Sequence, residues 1–381
     1  MTTYVRAPEA ARRLDVTLNT LYAYVSRGRI SRTTAADGRT SLFDLDEVAA
    51  LRERSRRKPP ELPPSIDVRI ATGVTNLDEA GVRYRGHRVV DLIDERFEVV
   101  AELLWSGQLP DPDHPPAPWP TIPAGTLPAE PPSIAALVRL ALAVDGHVGC
   151  SARPDDPVAV GRLVLGSVPD ALGTGVDSAS APFAERLAGC WQPRPHRAFV
   201  DAINAVLILL ADHELATSTL AVRVATSTRS STAMSVVAGL AAVSGSLHGG
   251  AAAEAHDLID RSMRLGPRQV LGDLLDRGER VPGFGHSIYR NVDPRFELLF
   301  ERVREIPGAH AVVDTVDALV AGSSITIARA PNVDLALGAL LAAAHLPADT
   351  PLFAIARIAG WIAHHAEELD ERPIRYRGLA R

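Results

Sequence analysis

The sequence predicts a mainly all-α protein: a two-lobed helical body preceded by a small winged helix-turn-helix domain. Three observations lead there. Alanine- and leucine-rich stretches at helical spacing fill most of the chain beyond residue 67. Strands and helices do not alternate, which argues against a doubly wound sheet. The first 58 residues hold three helical signals and a turn, and they are basic where the rest is acidic. The boundaries read as a module over 1–57, a Pro/Arg-rich linker over 58–66 and a body over 67–381.

In the module, Pro8 suits a first helical turn, and Ala10, Ala11 and Leu14 form a short apolar face. After the tight connection Asp15-Val16, Thr17 can cap a second helix that runs through Tyr24 and Val25 and stops at Gly28. Thr33-Thr34 and Ser41-Leu42-Phe43 flank an Asp37-Gly38 turn and read as a β-wing. Asp44 with Glu47 forms a capping box for a third helix from Leu45 to about Arg54. The run Glu9-Ala10-Ala11-Arg12-Arg13-Leu14-Asp15-Val16, with Leu21-Tyr22-Ala23-Tyr24-Val25-Ser26-Arg27-Gly28, resembles the MerR/excisionase type of DNA-binding domain. That resemblance implies duplex DNA as a partner, with Thr17, Asn19, Thr20 and Tyr22 on the helix that enters the major groove. Arg27 and Arg29, with Arg32 and Arg39, would then lie near phosphates. Docking on the helical body or on a protein partner is the alternative role for so small a module.

The linker begins after Arg54-Ser55-Arg56-Arg57 and reads Lys58-Pro59-Pro60-Glu61-Leu62-Pro63-Pro64, an extended, semi-rigid spacer. In the body, helical patterns cover 88–105, 133–145, 198–212, 231–243, 312–321 and 335–345. The proline-rich stretch 110–132 reads as a surface loop.

Charge and composition narrow the function. Residues 1–58 carry 12 Lys and Arg against 7 Asp and Glu, while the whole chain has a net charge of −6. A basic module on an acidic body points to a polyanion partner for the module. Cys150 and Cys190 are the only cysteines, so neither a disulfide framework nor a four-thiolate zinc site can be built. The N-terminal residues lack an apolar signal core, and the apolar run 205–211 is too short to cross a bilayer. The expectation is a soluble, cytoplasmic protein without membrane contact. No P-loop and no dinucleotide fingerprint occurs, which disfavours nucleotide hydrolysis and hydride transfer.

Two histidines stand beside glycines, in Gly245-Ser246-Leu247-His248-Gly249-Gly250 and in Gly283-Phe284-Gly285-His286. Glycine lets backbone approach a ligand closely, so two imidazoles can converge on one small molecule. Asn332-Val333-Asp334 supplies a carboxylate and Asp293-Pro294-Arg295 a cation. Histidines, an aspartate and arginines suit carbon–carbon bond formation on a polyanionic keto acid. His256, His364 and His365 lack zinc-ligand spacing and read as structural, so no metal site is expected.

Further motifs recur in order with these: Tyr84-Arg85-Gly86, Ala101-Glu102-Leu103-Leu104-Trp105-Ser106-Gly107, Asp212-His213-Glu214-Leu215, Pro351-Leu352-Phe353-Ala354-Ile355-Ala356-Arg357 and Gly360-Trp361-Ile362-Ala363-His364. The series resembles citrate synthase from about Val68 to Gly378. The resemblance implies condensation of acetyl-CoA, or of propionyl-CoA, with oxaloacetate, with no cofactor beyond the coenzyme A thioester. It makes Asp334 the base, His248 the donor to the thioester oxygen and His286 the donor to the keto oxygen. His213, Arg295 and Arg357 would bind oxaloacetate. A last arginine, Arg372 with Arg375 as its competitor, would come from a partner subunit of a homodimer. It also implies a small CoA-binding lobe over about 249–330 that is inserted in the large lobe. Departures stand beside this: Ala216 and Thr217 where Asn-Ala is common, Ser246 for a proline and Ser287 for an arginine. The other reading of the same features is a metabolite-sensing transcriptional regulator that kept the fold but lost turnover.

Overall fold

The computed structural model describes residues 4–14, 16–26, 28–35, 40–56, 70–78, 81–123, 125–126, 130–149, 156–173, 180–285, 293–326 and 329–376; of residues 19, 52–56 and 324–326 it describes the backbone alone. The chain divides into two compact units, 1–71 and 72–381.

The first unit runs β1 (Tyr4–Arg6), α1 (Ala7–Leu14), α2 (Leu18–Ser26), β2 (Thr33–Thr34), β3 (Ser41–Asp44) and α3 (Leu45–Arg56). Its strands form one antiparallel sheet in the order β1-β3-β2, with Val5 opposite Phe43 and Thr33 opposite Leu42. Ala10, Leu21, Phe43 and Val48 are its buried centre, so each helix and the central strand contribute to one small core. The Thr17 hydroxyl accepts the Thr20 N–H at 3.2 Å and starts α2, and Gly28, at φ +64°, ends it. The capping box at α3 forms only in half. Asp44 accepts the Asp46 N–H at 2.8 Å, but Glu47 turns instead to the Ser31 N–H at 2.7 Å and fastens the approach to β2. Strand β1 has no counterpart in the sequence reading.

The second unit opens with a hairpin sheet, β4 (Thr75–Asp78), β5 (Gly81–Tyr84) and β6 (His87–Arg88), in that order. Arg85 at φ +48° and Gly86 at φ +89° make the β5–β6 turn, the paired positive φ that a two-residue hairpin loop demands. Helices follow: α4 (Val89–Leu92), α5 (Phe97–Ser106), α6 (Ile134–Gly149), α7 (Pro157–Ala171), α8 (Phe183–Ala188), α9 (Arg197–Leu210), α10 (Thr217–Ser227) and α11 (Thr232–Val243). Then come α12 (Ala251–Leu265), α13 (Pro267–Asp276), α14 (Pro294–Arg304), α15 (His310–Thr326), α16 (Val333–Ala343) and α17 (Leu352–Leu369).

The continuous helix predicted over 88–105 is two helices. Asn204 of α9 caps the second by accepting the Phe97 N–H at 3.0 Å, and its amide donates to the Glu95 carbonyl at 2.8 Å. One side chain from a distant helix thus satisfies both edges of the break, which no local pattern announces.

Helix α17 is the spine. Its residues from Ala354 to Ala363 are buried on every side, Trp361 fully so, and α5, α7, α9, α10 and α11 pack around it. A helix that is apolar all round belongs in a core. One buried cluster extends from Val74 to Ala363 and includes residues 252–319, so helices α12 to α15 share the core with the rest. No helix among the described residues is long and apolar enough to cross a membrane. The proline-rich loop lies outside the helices yet is anchored: Trp119 is buried against Phe97, Trp105 and Phe183 at ring separations of 5.9, 5.6 and 5.5 Å. Trp119→Ala should therefore destabilise the second unit by about 3–5 kcal/mol, as truncation of a buried aromatic does. Denaturant unfolding followed by tryptophan fluorescence checks this, and an unchanged midpoint would mean that the loop is not anchored there.

Candidate active site

His248 lies in the turn between α11 and α12, where its own N–H donates to the Gly245 carbonyl at 2.9 Å. Its Nε2 meets two groups of Ser218, in the first turn of α10: the main-chain N–H at 3.3 Å and the hydroxyl at 2.8 Å. A main-chain N–H can only donate, so Nε2 accepts and the ring proton sits on Nδ1. The Ser218 Oγ takes the Trp361 indole N–H at 3.3 Å and is free to give its own proton to Nε2. Burial, and after it the charge of Arg357, holds His248 below its ordinary value of 6.5. The positive end of α10 works in the same direction. The result is a neutral imidazole with an Nδ1–H donor.

Asp334 occupies the first turn of α16. Asn332 caps that helix, accepting the Asp334 N–H at 3.0 Å, while its amide donates to the Gly285 carbonyl at 2.8 Å. Two main-chain bonds zip the same segments: Asn332 N–H to the Gly283 carbonyl at 2.9 Å, and Gly285 N–H to the Ala330 carbonyl at 2.8 Å. Gly283 stands at φ +77°, and a Cβ there would lie 2.8 Å from the Leu335 Cβ, so only glycine fits. Gly285 is thus fastened to the cap of Asp334. His286, the next residue, lies outside the described residues. Burial raises the Asp334 carboxyl above 3.8, with Arg295 pulling it down and Asp293 adding to the rise.

The arginines are placed differently from one another. Arg295 is buried, and two of its donors form a fork with Asp293, Nε to Oδ1 at 3.0 Å and Nη2 to Oδ2 at 2.9 Å. Asp293 also caps α14 and accepts the Val333 N–H at 3.1 Å, so this pair joins the starts of α14 and α16. Arg357, on the spine helix and 2% exposed, has its guanidinium carbon 4.9 Å from the centre of the Phe353 ring. The edge of that ring meets His248, with centroids 5.8 Å apart. Its Nε and Nη1 are buried and find no hydrogen-bond partner among the described residues. Burial lowers its pKa, opposed by the carboxylate of Asp212.

His213 lies three residues beyond the end of α9, next to Asp212. The Asp212 Oδ2 accepts the Thr75 hydroxyl at 2.5 Å and faces His364 Nε2 at 3.1 Å. Gly360 admits this segment against α17: a Cβ there would stand 2.4 Å from the Ala211 carbonyl oxygen and 2.5 Å from Asp212 Oδ1. His364 and His365 are both buried and hydrogen-bonded, which agrees with a structural reading. His256 faces Asp257 at 3.7 Å.

The two tail arginines separate clearly. Arg375 is paired within its own chain, to Glu368 at 2.7 and 2.5 Å and to Glu371 at 3.2 Å. Arg372 is exposed and makes no hydrogen bond or ion pair among the described residues.

In the first unit, Thr17 and Thr20 bond one another through their hydroxyls at 2.9 Å. Tyr22 is 39% exposed, but its ring meets Phe43 edge-on and its hydroxyl reaches Ser41 at 3.5 Å. Arg29 lies over the Tyr24 ring at 5.9 Å. Arg27 lies outside the described residues, as does the side chain of Asn19.

Residues 170–377, more than half of the chain, match the family model of the citrate synthase C-terminal domain. The chain belongs to the citrate synthase family. A citrate synthase from Mycolicibacterium smegmatis is 28% identical over 328 residues, 75% of this chain and 84% of that one. A 2-methylcitrate synthase from Mycobacterium tuberculosis is 35% identical over 185 residues, 47% of each chain. Among solved structures, citrate synthase from Pyrobaculum aerophilum superposes with a TM-score of 0.68 at 21% identity, covering 82% of this chain and 89% of that one. A ternary complex of carboxymethyl coenzyme A and oxaloacetate with citrate synthase from Thermoplasma acidophilum superposes with a TM-score of 0.65 at 25% identity, covering 82% and 93%. The protein is thus a citrate synthase-type enzyme, and this family needs no cofactor beyond its coenzyme A substrate.

Within that family frame, Ser218, Trp361, Asp293, Asn332 and Phe353 contact or cap the candidate residues, and sequence reasoning gave none of them a role of its own. Asn332, two before Asp334, carried a readable signal, an Asx cap at a helix start. Asp293, before Pro294 at the start of α14, carried a cap signal of the same kind, and the remaining three act through tertiary contacts without a local mark. Ser218→Ala should leave the Trp361 indole N–H without its acceptor, at a cost of about 1–3 kcal/mol. It should also release the His248 tautomer, so that ¹⁵N shifts report a mixture in place of the Nδ1–H form. A single unchanged tautomer would show that the main-chain N–H suffices.

Proposed function

We propose that the protein condenses acetyl-CoA or propionyl-CoA with oxaloacetate, giving citrate or 2-methylcitrate and free coenzyme A. The observation that carries this reading is the buried, unpartnered Nε and Nη1 of Arg357, beside a neutral His248 and electrostatically coupled to Asp334. A buried cation with unused donors fits a carboxylate ligand, and a guanidinium fork fits it better than an ammonium group.

In the proposed reaction Asp334 removes a proton from the carbon next to the thioester carbonyl. His248 donates its Nδ1–H to the thioester oxygen as the enolate forms. Such paired general acid–base help is worth roughly 10²–10⁴-fold. His286 donates to the keto oxygen of oxaloacetate as that carbon is attacked, and water then hydrolyses the citryl thioester. Arg357, Arg295 and His213 hold the keto acid. The Asp293 fork gives Arg295 a second task, fixing the α14–α16 junction while its charge faces Asp334. None of these steps calls for a metal.

A homodimer completes the site in this reading, with Arg372 of one chain reaching the other. Arg375 is committed to Glu368, which favours Arg372 for that role. Leu142 on α6, Val224 on α10 and Met234 on α11 are 47, 44 and 40% exposed, apolar surface that a second copy would cover. The lobe over about 249–330 closes on the keto acid before the thioester reacts, shielding the enolate from water.

Replacing Asp334 by Asn should lower acyl-CoA- and oxaloacetate-dependent thiol release by orders of magnitude with the fold intact. Turnover near that of the wild type would remove Asp334 as the base. The pH profile has a definite sign. Asp334 works ionised, so kcat/KM should fall as pH drops through a value above 3.8. His248, already held below 6.5, should add no loss near 6.5. For stability the two act oppositely. The raised Asp334 pKa favours folding below 3.8, and that contribution is lost as pH rises through the folded value. The lowered His248 pKa favours folding above 6.5, a contribution lost as pH falls through its folded value.

We further infer that residues 1–57 form a winged helix-turn-helix module that binds duplex DNA, with α2 toward the major groove. The order of helix, tight turn, helix, strand pair and helix supports it, as does the local excess of basic residues. A regulator without strong turnover is the second reading, favoured by Ala216: it starts α10 with no side-chain cap, where an asparagine would offer an amide. Full-length protein should bind genomic fragments near its own gene in low salt, with affinity falling steeply as salt rises. No binding in low salt would leave docking as the role of the module. Oxaloacetate or acetyl-CoA should shift DNA affinity by roughly 1–3 kcal/mol if the protein is a regulator and leave it unchanged in a tethered enzyme.

A further inference from the structure

Arg223 of α10 is completely buried, and its donors run in two directions. Toward one side, Nη1 donates to Glu367 Oε2 at 2.6 Å and to His364 Nδ1 at 3.0 Å. A guanidinium only donates, so His364 Nδ1 accepts and the imidazole proton is on Nε2. That proton faces Asp212 Oδ2 at 3.1 Å, the oxygen that also takes the Thr75 hydroxyl. Asp212 is the residue before His213. Toward the other side, Arg223 Nε donates to Glu368 Oε2 at 2.8 Å. Glu368 in turn takes the fork of Arg375 and the hydroxyl of Tyr376 at 3.1 Å. Arg372 lies three residues before Arg375, on a tail whose Ile374 N–H is bonded to the Ser227 carbonyl at 2.8 Å, at the end of the helix that carries Arg223.

Charges buried this deeply hold helices together no better than apolar side chains of similar volume would. Their directionality is what apolar packing lacks. A fork and an imidazole fix angles as well as distances, and both ends of this chain of bonds stop one to three residues from a group assigned to oxaloacetate.

We propose that Arg223 is a positioning residue of the keto-acid site, setting His213 through His364 and Asp212 and setting the Arg372-bearing tail through Glu368 and Arg375. The proposal rests on reading the site as one for oxaloacetate. It means that the part of the site built from one chain and the part lent to the partner chain are aligned by one guanidinium.

The test uses Glu368→Gln on the tail side and Thr75→Val on the Asp212 side, singly and together, in the full-length protein. The two residues share no contact, and neither is assigned to substrate. Each single variant should raise the KM for oxaloacetate several-fold with kcat within about twofold, and Arg223→Lys should do the same. The double variant should be less impaired than the product of the single effects, because both cut one chain of bonds. Unchanged KM values, or effects that simply multiply, would overturn the proposal. Hydrogen exchange supplies an arm that needs no substrate. Thr75→Val should quicken exchange at the Ile374 amide, at the other end of the network, and an unaltered rate there would equally overturn it. If the wild type showed no oxaloacetate turnover, the functional reading would fall while the exchange arm still decided the network.

Discussion

A guanidinium enclosed in the core with two donors unpaired is an expensive thing for a protein to build. Removing an ion from water costs several kcal/mol after relaxation, and pairing must offset it. Arg357 receives only partial compensation: the Phe353 ring beneath it and the more distant charge of Asp212. Much else follows from holding that charge in place. It sits on α17, the helix with the most complete burial, so it cannot swing out to solvent. It helps keep His248 neutral, and it restrains the rise in pKa that burial imposes on Asp334. A ligand carboxylate would satisfy the stored need for an anion.

The fold supplies the remaining geometry through helix starts. Ser218 opens α10, Asp334 opens α16 and Arg295 opens α14. Unpaired N–H groups at such starts can hold an imidazole lone pair or a cap without disturbing the helix. Ser218 uses its N–H in this way on His248, while Asn332 and Asp293 cap the other two helices. Asp293 accepts from both Arg295 and the Val333 N–H, so the cation and the carboxylate are registered by one side chain.

Much of this was legible in the sequence, for reasons that differ from place to place. Helical spacing and apolar composition foretold most of α6, α9, α11, α15 and α16, because burial on one face leaves a periodic trace. Glycines beside His248 marked backbone free to approach closely, and His248 lies there in a turn between two helices. The break at 93–96 was invisible because Asn204 creates it from another helix. The β4–β6 hairpin rests on positive φ at Arg85, a residue type that rarely adopts it, so its turn carried half a signal. Glu47 went to Ser31 because the competing donor lies 16 residues away. That Arg375 is paired within its own chain could not be read without knowing that Glu368, on the last turn of α17, reaches the tail. In each case the missing information was a contact between distant segments.

The central claim is that the buried guanidinium of Arg357 is an anion site. Calorimetric titration of oxaloacetate into the wild type and into Arg357→Met tests it most directly, with thermal unfolding of both proteins alongside. The account predicts that the methionine variant folds at least as stably in the absence of ligand, because an incompletely paired buried charge has been removed. It also predicts that oxaloacetate binding to the variant weakens by at least tenfold, about 1.4 kcal/mol. Retention of full oxaloacetate affinity in Arg357→Met would contradict it.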